Sequence, residues 1–259
     1  MKGVILAGGE GTRLFPVTLG ISKQLIPIYN KPLIYYPLST LMLSGIREIL
    51  IITKSKHLQS FRDLLGDGKK FGISIDFEIQ KLSNGIPEAL IISEKFINND
   101  SVALILGDNF FYGPGMGRSL NVSQKLGAKI FVKEVANPEK FGVLEFDAAN
   151  QPLRIVEKPT NTESDLAVTG LYFYKNEAIE IAKTLKPSHR GETEITDLNN
   201  IFLQHGDLEI QMLPRSTVWF DTGTFEGIQH ASEFVRIIES NQKIEVGSPL
   251  EIAKINSWV

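Results

Sequence analysis

The sequence predicts an α/β protein with an open, mostly parallel, Rossmann-like sheet, helices on both faces and a smaller mixed-sheet lobe. Short apolar runs rich in β-branched residues are typical of buried strands. Helical patterns separate the first of these runs, and the strands come closer together from about Phe141 onward. Strand, helix and strand in that order imply right-handed crossovers and a parallel sheet in the first half.

Six apolar runs are predicted strands. They occupy residues 4–7, 49–53, 102–106, 129–132, 168–174 and 208–213. Apolar residues at helical spacing predict one helix over 32–44, with Gly45 as its C-cap, and a shorter one over 87–96. The chain contains no repeat and no long linker. We therefore expect a single domain over residues 1–259, divided into two lobes near residue 130.

The composition is that of an ordinary globular protein, with 42% hydrophobic and 22% charged residues among 259. No apolar run reaches the roughly 18 residues of a membrane span, and residues 1–7 lack the features of a signal peptide. A cytoplasmic protein without membrane contact is expected. The absence of cysteine excludes disulfides, thiolate nucleophiles and cysteine metal sites. A net charge of -3 gives no reason to expect binding to a nucleic acid polymer.

A glycine-rich segment, residues 8–13, follows the first predicted strand directly, where an open α/β sheet usually binds ligands. Glycines let backbone N–H groups approach phosphates, and Arg13 adds a planar cation. A tight turn that binds nothing would carry the same glycines, because short glycine patterns are weak motifs. A P-loop is excluded because no Lys followed by Ser or Thr comes after Gly11. A dinucleotide fingerprint is disfavoured because residues 29–32 contain no acid.

Two acids follow short apolar runs. Asp108 comes after the run at 102–106, and Asp221 comes after Val218, Trp219 and Phe220. Each alone would be read as a solvated strand-end residue. Together they suit Mg²⁺, which proteins bind through one or two carboxylates and the phosphates of a substrate. The four histidines, at positions 57, 189, 205 and 230, lie outside these motifs and are expected to be surface or structural residues.

Longer motifs carry a family resemblance. LAGGEGTRLFP at 6–16 and SKQLIP at 22–27 resemble the sugar nucleotidyltransferases. YYPLSTLML at 35–43 and GDNFFYG at 107–113 are similar, more narrowly, to the thymidylyltransferases of that family that act on glucose 1-phosphate. The likeness continues through 157–159, 167–174, 190–197 and 219–224. Ordered matches along almost the whole chain are far more specific than any single motif.

The resemblance implies an enzyme that transfers a thymidylyl group from dTTP to α-D-glucose 1-phosphate with Mg²⁺, giving dTDP-glucose and pyrophosphate. It also implies a homo-oligomer, a nucleotide-binding lobe over roughly 1–130, and a sugar-binding lobe with a C-terminal helix over roughly 131–259. UTP or another hexose 1-phosphate would keep the same chemistry. The alternative from another functional class is a nucleotide-sugar-binding protein without catalytic activity.

The resemblance also assigns site residues. The catalytic ones are Arg13, Lys23 and Lys158. The nucleotide-binding ones are Leu6, Gly8, Gly9, Gly11, Thr12, Arg13, Gln24, Gln80, Gly85 and Asp108. The sugar phosphate-binding ones are Gly142, Glu157, Lys158, Val168 and Arg190, and the metal ligands are Asp108 and Asp221. The amide of Gln80 can pair with a thymine or uracil edge, Gly85 leaves room for a flat base, and Glu157 can accept two hydroxyl hydrogen bonds.

Three features depart from the family pattern. After Gly85 the family usually has Leu, Ala, Gln, Ala, whereas this chain has Ile86, Pro87, Glu88 and Ala89. Glu88 would place a negative charge at the triphosphate unless it points away. A Phe at position 141 stands where Tyr is common. The chain also ends several helical turns earlier than typical members, which leaves the family's oligomer contacts and nucleotide regulation open.

Overall fold

The computed structural model describes residues 1–114, 117, 120 and 125–259. The chain forms two compact units, each assembled from separate stretches of sequence. The first, which we call the glycine-turn unit, comprises Lys2–Lys81, Ile105–Asn121 and Ser216–Val259. The second, which we call the Glu157 unit, comprises Met1, Leu82–Leu104 and Val122–Arg215. The single domain with lobes divided near residue 130 stays a prediction.

The glycine-turn unit begins with parallel strands connected through helices. Its first elements are β1 (Lys2–Ala7), β2 (Pro27–Ile28), β3 (Lys31–Pro32), α1 (Tyr35–Leu43), β4 (Glu48–Thr53), α2 (Leu58–Leu65) and β5 (Ser74–Ile79). β1 pairs in parallel with β4, and β4 pairs in parallel with β5, so that Ile51 lies between Ile5 and Phe77. β4 is buried from Ile49 to Thr53, as expected for a strand covered on both faces. β2 and β3 form a short antiparallel pair.

The chain passes between the units within β6 (Val102–Leu106). Within the described residues, the glycine-turn unit also contains β7 (Asn109–Tyr112), β13 (Val218–Asp221), α7 (Phe225–Asn241) and α8 (Pro249–Ile255). β7 and β13 pair antiparallel, with Asp221 opposite Asn109. The rings of Phe110 and Phe220 stack across this pair at 5.6 Å, and Phe110 joins a buried cluster with Tyr36 and Val235. This cluster packs the β7–β13 pair against α1, which contains Tyr36, and α7, which contains Val235.

The Glu157 unit is built on a mixed sheet. Its elements are α3 (Glu88–Ile92), α4 (Glu94–Ile97), β8 (Ala128–Glu134), β9 (Gly142–Phe146), β10 (Pro152–Glu157), β11 (Leu166–Tyr174), α5 (Glu177–Thr184), α6 (Ile195–Gln204) and β12 (Leu208–Met212). β10, β9, β11 and β8 are joined antiparallel in that order, and β12 pairs in parallel with β8. Every residue of β11 is buried, so this strand forms the centre of the unit.

The predicted fold class and all six predicted strands are confirmed, and β6 has the predicted bounds. The second predicted helix differs, because it is interrupted at Ser93 and forms α3 and α4. The hydroxyl of Ser93 donates to the carbonyls of Ala89 and Leu90 at 2.6 and 3.1 Å, and such side-chain bonds compete with the helical backbone pattern. Among the helices of the described residues, none is long and apolar enough to cross a membrane.

Candidate active site

The glycine turn, residues 8–11, follows the carboxyl end of β1. Gly11 has φ 65°, a left-handed conformation that favours glycine. Its carbonyl accepts hydrogen bonds from Leu14 N at 2.9 Å and from Thr18 Oγ1 at 2.7 Å, and a methyl group on Gly11 would lie 3.0 Å from Thr18 Cγ2. A methyl group on Gly9 would meet nothing within 4 Å. The turn is therefore closely packed at Gly11 and open at Gly9.

Two buried glutamine side chains flank this turn. Gln80 follows β5 and lies so close to Gly8 that any side chain at position 8 would collide with its Oε1. Gln24 accepts a hydrogen bond from Ser22 Oγ at 2.6 Å, and a methyl group on Gly107 would lie 3.0 Å from Gln24 Cγ. Gly107 N in turn donates to the carbonyl of Leu6 at 2.9 Å. The structure thus brings Leu6, Gly8, Gln24 and Gln80 together, and Thr12 opens the short turn Thr12–Leu14 that carries Arg13.

Asp108 is buried and forms an ion pair with Lys23. Its Oδ1 accepts a hydrogen bond from Asn109 Nδ2 at 3.1 Å, and Asn109 Oδ1 accepts one from Trp219 Nε1 at 2.6 Å. Burial raises the pKa of the Asp108 carboxyl, but the ammonium of Lys23 and the hydrogen bonds from Lys23 and Asn109 outweigh burial, so this pKa lies below its ordinary value. Asp108 is therefore a carboxylate at neutral pH.

Asp221 lies beside Asp108 because Thr222 N and Oγ1 both donate to the carbonyl of Asp108, at 3.0 and 2.7 Å. A methyl group on Gly223 would lie 2.9 Å from Asp221 Oδ1 and 3.0 Å from Arg13 Cζ, so Arg13 reaches the same place. Burial and the charge of Asp108 raise the pKa of Asp221, against the opposing effects of Arg13 and Lys23.

These two acids fit a divalent cation. Their oxygens are the hard ligands that Mg²⁺ prefers, and two protein carboxylates with substrate phosphates are its usual set. Burial and, after it, repulsion by the Asp108 carboxylate raise the pKa of Asp221, and a bound cation would offset both effects. Within the described residues no group of three or more acidic, histidine or cysteine side chains could hold a metal without a substrate.

The sugar-phosphate residues predicted from the sequence lie together in the Glu157 unit. Gly142 pairs directly with Glu157, and its neighbour Val143 pairs with Ala167, next to Val168. The three predicted residues therefore sit on adjacent strands. A methyl group on Gly142 would lie 3.1 Å from Thr196 Oγ1, so a side chain at this position would crowd the hydroxyl that donates to Glu157.

Two cations approach the Glu157 carboxylate. Arg190 Nη1 donates to Glu157 Oε1 at 3.3 Å and to Glu194 Oε1 at 3.4 Å, and Lys158 Nζ lies 3.8 Å from Glu157 Oε1. Thr196 Oγ1 donates to Glu157 Oε2 at 2.7 Å. Burial, Glu194 and Glu157 raise the pKa of Asp197, in that order. Arg190 is thus held by hydrogen bonds to two carboxylates, and Lys158 lies within ion-pair distance of one of them.

Gly85 belongs to the Glu157 unit and has φ 109°. Its missing side chain was expected to leave room for a base, but the carbonyl of Thr193 occupies that space. Its nucleotide-binding role stays a prediction. The carboxylate of Glu88 accepts hydrogen bonds from N and Nδ2 of Asn84, at 3.2 and 3.4 Å. Glu88, which departs from the family pattern, is therefore bound by a residue of its own loop.

Sequence reasoning missed the supporting residues Asn109, Trp219, Thr196, Glu194 and Asp197. All lie inside segments that carry the family resemblance, and this was the only available signal. The histidines at 189, 205 and 230 are exposed and the one at 57 is partly buried, in agreement with a surface or structural role.

The chain is similar to known nucleotidyltransferases along its length. The family model described as Nucleotidyl transferase matches residues 2–237. A glucose-1-phosphate thymidylyltransferase from Neisseria meningitidis serogroup A is 52% identical, over 100% of this chain and 91% of its own. One from Mycolicibacterium smegmatis is also 52% identical, over 98% and 88%. A crystallised candidate glucose-1-phosphate thymidylyltransferase from Bacillus anthracis, in complex with sucrose, has a TM-score of 0.84 and 39% identity, over 92% and 96%.

Proposed function

We infer the activity from one premise: the chain belongs to the nucleotidyl transferase family. It transfers a thymidylyl group from dTTP to α-D-glucose 1-phosphate, giving dTDP-glucose and pyrophosphate. The activity named for its bacterial relatives supports this assignment. The structural observation that carries it is the group of two acids and two cations beside the glycine turn, comprising Arg13, Lys23, Asp108 and Asp221.

The glycine turn binds the triphosphate of dTTP. Backbone N–H groups at Gly8, Gly9 and Gly11 can approach phosphate oxygens closely because these residues carry no side chains of their own. Arg13 offers a planar fork of donors, and Lys23 offers a compact ammonium. Both cations already lie beside carboxylates, so they are held in place before the substrate arrives. Such preorganised charge is the main contribution a protein makes to phosphoryl transfer.

Asp108 and Asp221 would hold Mg²⁺ together with the phosphates. When bound, the ion neutralises charge on the reacting phosphates. The protein's own contribution is to keep both carboxylates in one place. The pairing of β7 with β13 brings the two acids together, and Thr222 donates two hydrogen bonds to the Asp108 carbonyl. The Asn109 amide donates to the Asp108 carboxylate.

The base is recognised by Gln80. A glutamine amide offers one donor and one acceptor, which complement the edge of thymine or uracil. Gln80 is held against Gly8, so its side chain already lies beside the turn that binds the phosphates. Gln24 packs against Gly107 and completes the wall of this site.

The sugar phosphate binds in the Glu157 unit. The carboxylate of Glu157 accepts sugar hydroxyls, and Gly142 and Val168 on the neighbouring strands shape the surface beside it. Lys158 and Arg190 bind the phosphate, because they are the cations at this carboxylate. Lys158 and the pair Arg13 and Lys23 are the catalytic residues, since transfer at phosphorus requires positioned positive charge.

No protein base is needed for the attack. The second pKa of a phosphate monoester is about 6, so the attacking oxygen of glucose 1-phosphate is already ionised at pH 7. That oxygen bonds to the α-phosphorus of dTTP, and pyrophosphate leaves with the electrons of the broken bond. The protein acts by binding, orientation and charge neutralisation.

Pyrophosphate release over a matrix of triphosphates and sugar phosphates tests the assignment. The matrix pairs dTTP, UTP, ATP and GTP with several hexose 1-phosphates, each with and without Mg²⁺. We expect the highest kcat/KM for dTTP with glucose 1-phosphate, and none without the ion. Better turnover of UTP or another hexose would keep the chemistry and change the substrate. Binding without pyrophosphate release in any combination would identify a silent homologue.

A further inference from the structure

A backbone contact joins two distant loops of the Glu157 unit. Thr193 N and Oγ1 both donate to the carbonyl of Asn84, at 2.8 and 2.7 Å. Gly85 forms an isolated parallel bridge with Thr193, and a methyl group on Gly85 would lie 2.9 Å from the Thr193 carbonyl carbon. We call Asn84, Gly85 and Thr193 the 84–193 clamp. Its close approach is possible only because residue 85 is a glycine with a positive φ.

The clamp is anchored at its Asn84 end. The carboxylate of Glu88, in the first turn of α3, accepts hydrogen bonds from both the backbone N–H and the side-chain amide of Asn84. An ionised acceptor makes a stronger hydrogen bond than a neutral one. The carboxylate therefore restrains Asn84, the residue whose carbonyl accepts the two hydrogen bonds from Thr193.

At its other end, the clamp holds the turn that carries Arg190. Ser188 N donates to the carbonyl of Glu192 at 2.8 Å, and Arg190 N donates to Ser188 Oγ at 3.1 Å. Ser188 Oγ donates to Glu194 Oε1 at 2.8 Å, and that carboxylate also receives Arg190 Nη1. In the sequence, Thr193 therefore lies between Arg190 and Glu194, the acid that orients the Arg190 guanidinium.

We propose that the 84–193 clamp positions Arg190 to bind the phosphate of the sugar 1-phosphate. The clamp residues act through Arg190 and are positioning residues. This inference rests on the proposed function, which assigns Arg190 to the sugar phosphate. Arg190 keeps 33% of its side-chain surface exposed, so packing alone does not fix it. Its guanidinium is oriented by the carboxylates of Glu157 and Glu194, and the clamp restrains the main chain that carries the side chain.

The test uses Thr193→Val in the full chain, which keeps the shape and removes only the hydroxyl donor. Thr184→Val is the matched control, because Thr184 Oγ1 also donates to a backbone carbonyl at 2.7 Å on the surface of the same unit. We expect Thr193→Val to raise KM for glucose 1-phosphate about 2- to 10-fold, the effect of one lost hydrogen bond, without changing KM for dTTP. Thr184→Val should change neither KM.

Two further measurements separate positioning from general loosening. In an Arg190→Ala background, Thr193→Val should have no additional effect on KM for glucose 1-phosphate, because the residue through which it acts is gone. Hydrogen exchange over residues 186–198 should be faster in Thr193→Val than in the wild type and unchanged in Thr184→Val. The exchange measurement does not depend on catalysis, so it tests the clamp even if the proposed substrates are wrong. Equal increases in both KM values, or an undiminished effect without Arg190, would overturn the proposal.

Discussion

Asp108→Asn and Asp221→Asn should both abolish most activity but change stability in different ways. Each substitution preserves shape and removes one charge from the proposed metal site. For Asp108 the lost charge is the partner of Lys23, and both side chains keep little exposure, 13% for Lys23 and 12% for Asp108. The amide of an asparagine at this position would turn a donor toward the Lys23 ammonium or leave that cation with a weaker acceptor.

The expected cost for Asp108→Asn follows from this burial. Breaking a fully buried ion pair costs about 3–5 kcal/mol, whereas an exposed pair contributes about 0–1 kcal/mol. Since Lys23 retains some contact with solvent, we expect about 1–3 kcal/mol. A protein of this size loses roughly 2–4 °C in Tm for each kcal/mol. Asp108→Asn should therefore lower Tm by several degrees.

Asp221→Asn should have the opposite sign. Because burial and Asp108 raise its folded-state pKa, the unfolded chain loses this proton at a lower pH than the folded chain. As pH rises between those two values, stability falls, so the ionised Asp221 is destabilising at neutral pH. An asparagine removes this effect and still accepts from Gly223 N. The free energy of unfolding at pH 7 should stay unchanged or increase.

Thermal unfolding at pH 7 in EDTA, together with turnover in Mg²⁺, measures both effects on the same samples. We expect at least about a 100-fold loss of kcat in each variant, as for removal of one preorganised charge. We assign a destabilising charge to Asp221 and a stabilising ion pair to Asp108. A loss of stability in Asp221→Asn as large as that in Asp108→Asn would refute this assignment. Normal turnover in either variant would remove that acid from the site.

Further outcomes can be measured with the same assays. The double variant of these two acids should lose less activity than the two single losses combined, and high Mg²⁺ should partly restore each single variant, because both act on one ion. Arg13→Ala should remain folded and lose roughly 100-fold or more in turnover. Arg154→Ala, which breaks only an exposed pair with Glu145, should remain folded and keep its turnover. Gln80→Ala should weaken the use of dTTP by about 1–3 kcal/mol in kcat/KM, with GTP and ATP poor substrates throughout; efficient use of GTP by the wild type would contradict this. Glu88→Gln should leave KM for dTTP unchanged at every ionic strength because Glu88 is engaged by Asn84, and a larger affinity at low salt would place Glu88 at the triphosphate.

The strands were predictable from sequence because their signal is local. An apolar run such as Val102–Leu106 is buried wherever it pairs, so its composition alone defines the strand. Helix boundaries were less predictable. Ser93 divides the second predicted helix through hydrogen bonds to its own backbone, and a serine can make or omit such bonds in the same sequence context.

By itself, the sequence determined the glycine turn after β1 and the identity of the charged residues near it. The turn is formed by residues that are adjacent in sequence, and the left-handed φ at position 11 favours glycine. The family resemblance then selected Arg13, Lys23 and Lys158 from the 27 lysines and arginines of the chain.

Only the tertiary structure decided which charges meet. Asp108 and Asp221 both follow apolar runs, but they are brought together by the separate β7–β13 pair, whose partners are more than 100 positions apart. Likewise, Thr193 reaches Asn84 across 109 positions. Strand pairing between distant segments depends on packing of the whole chain, and local composition does not encode it. The same packing gave Asp108 a lowered pKa and Asp221 a raised one, because the difference lies in their neighbours.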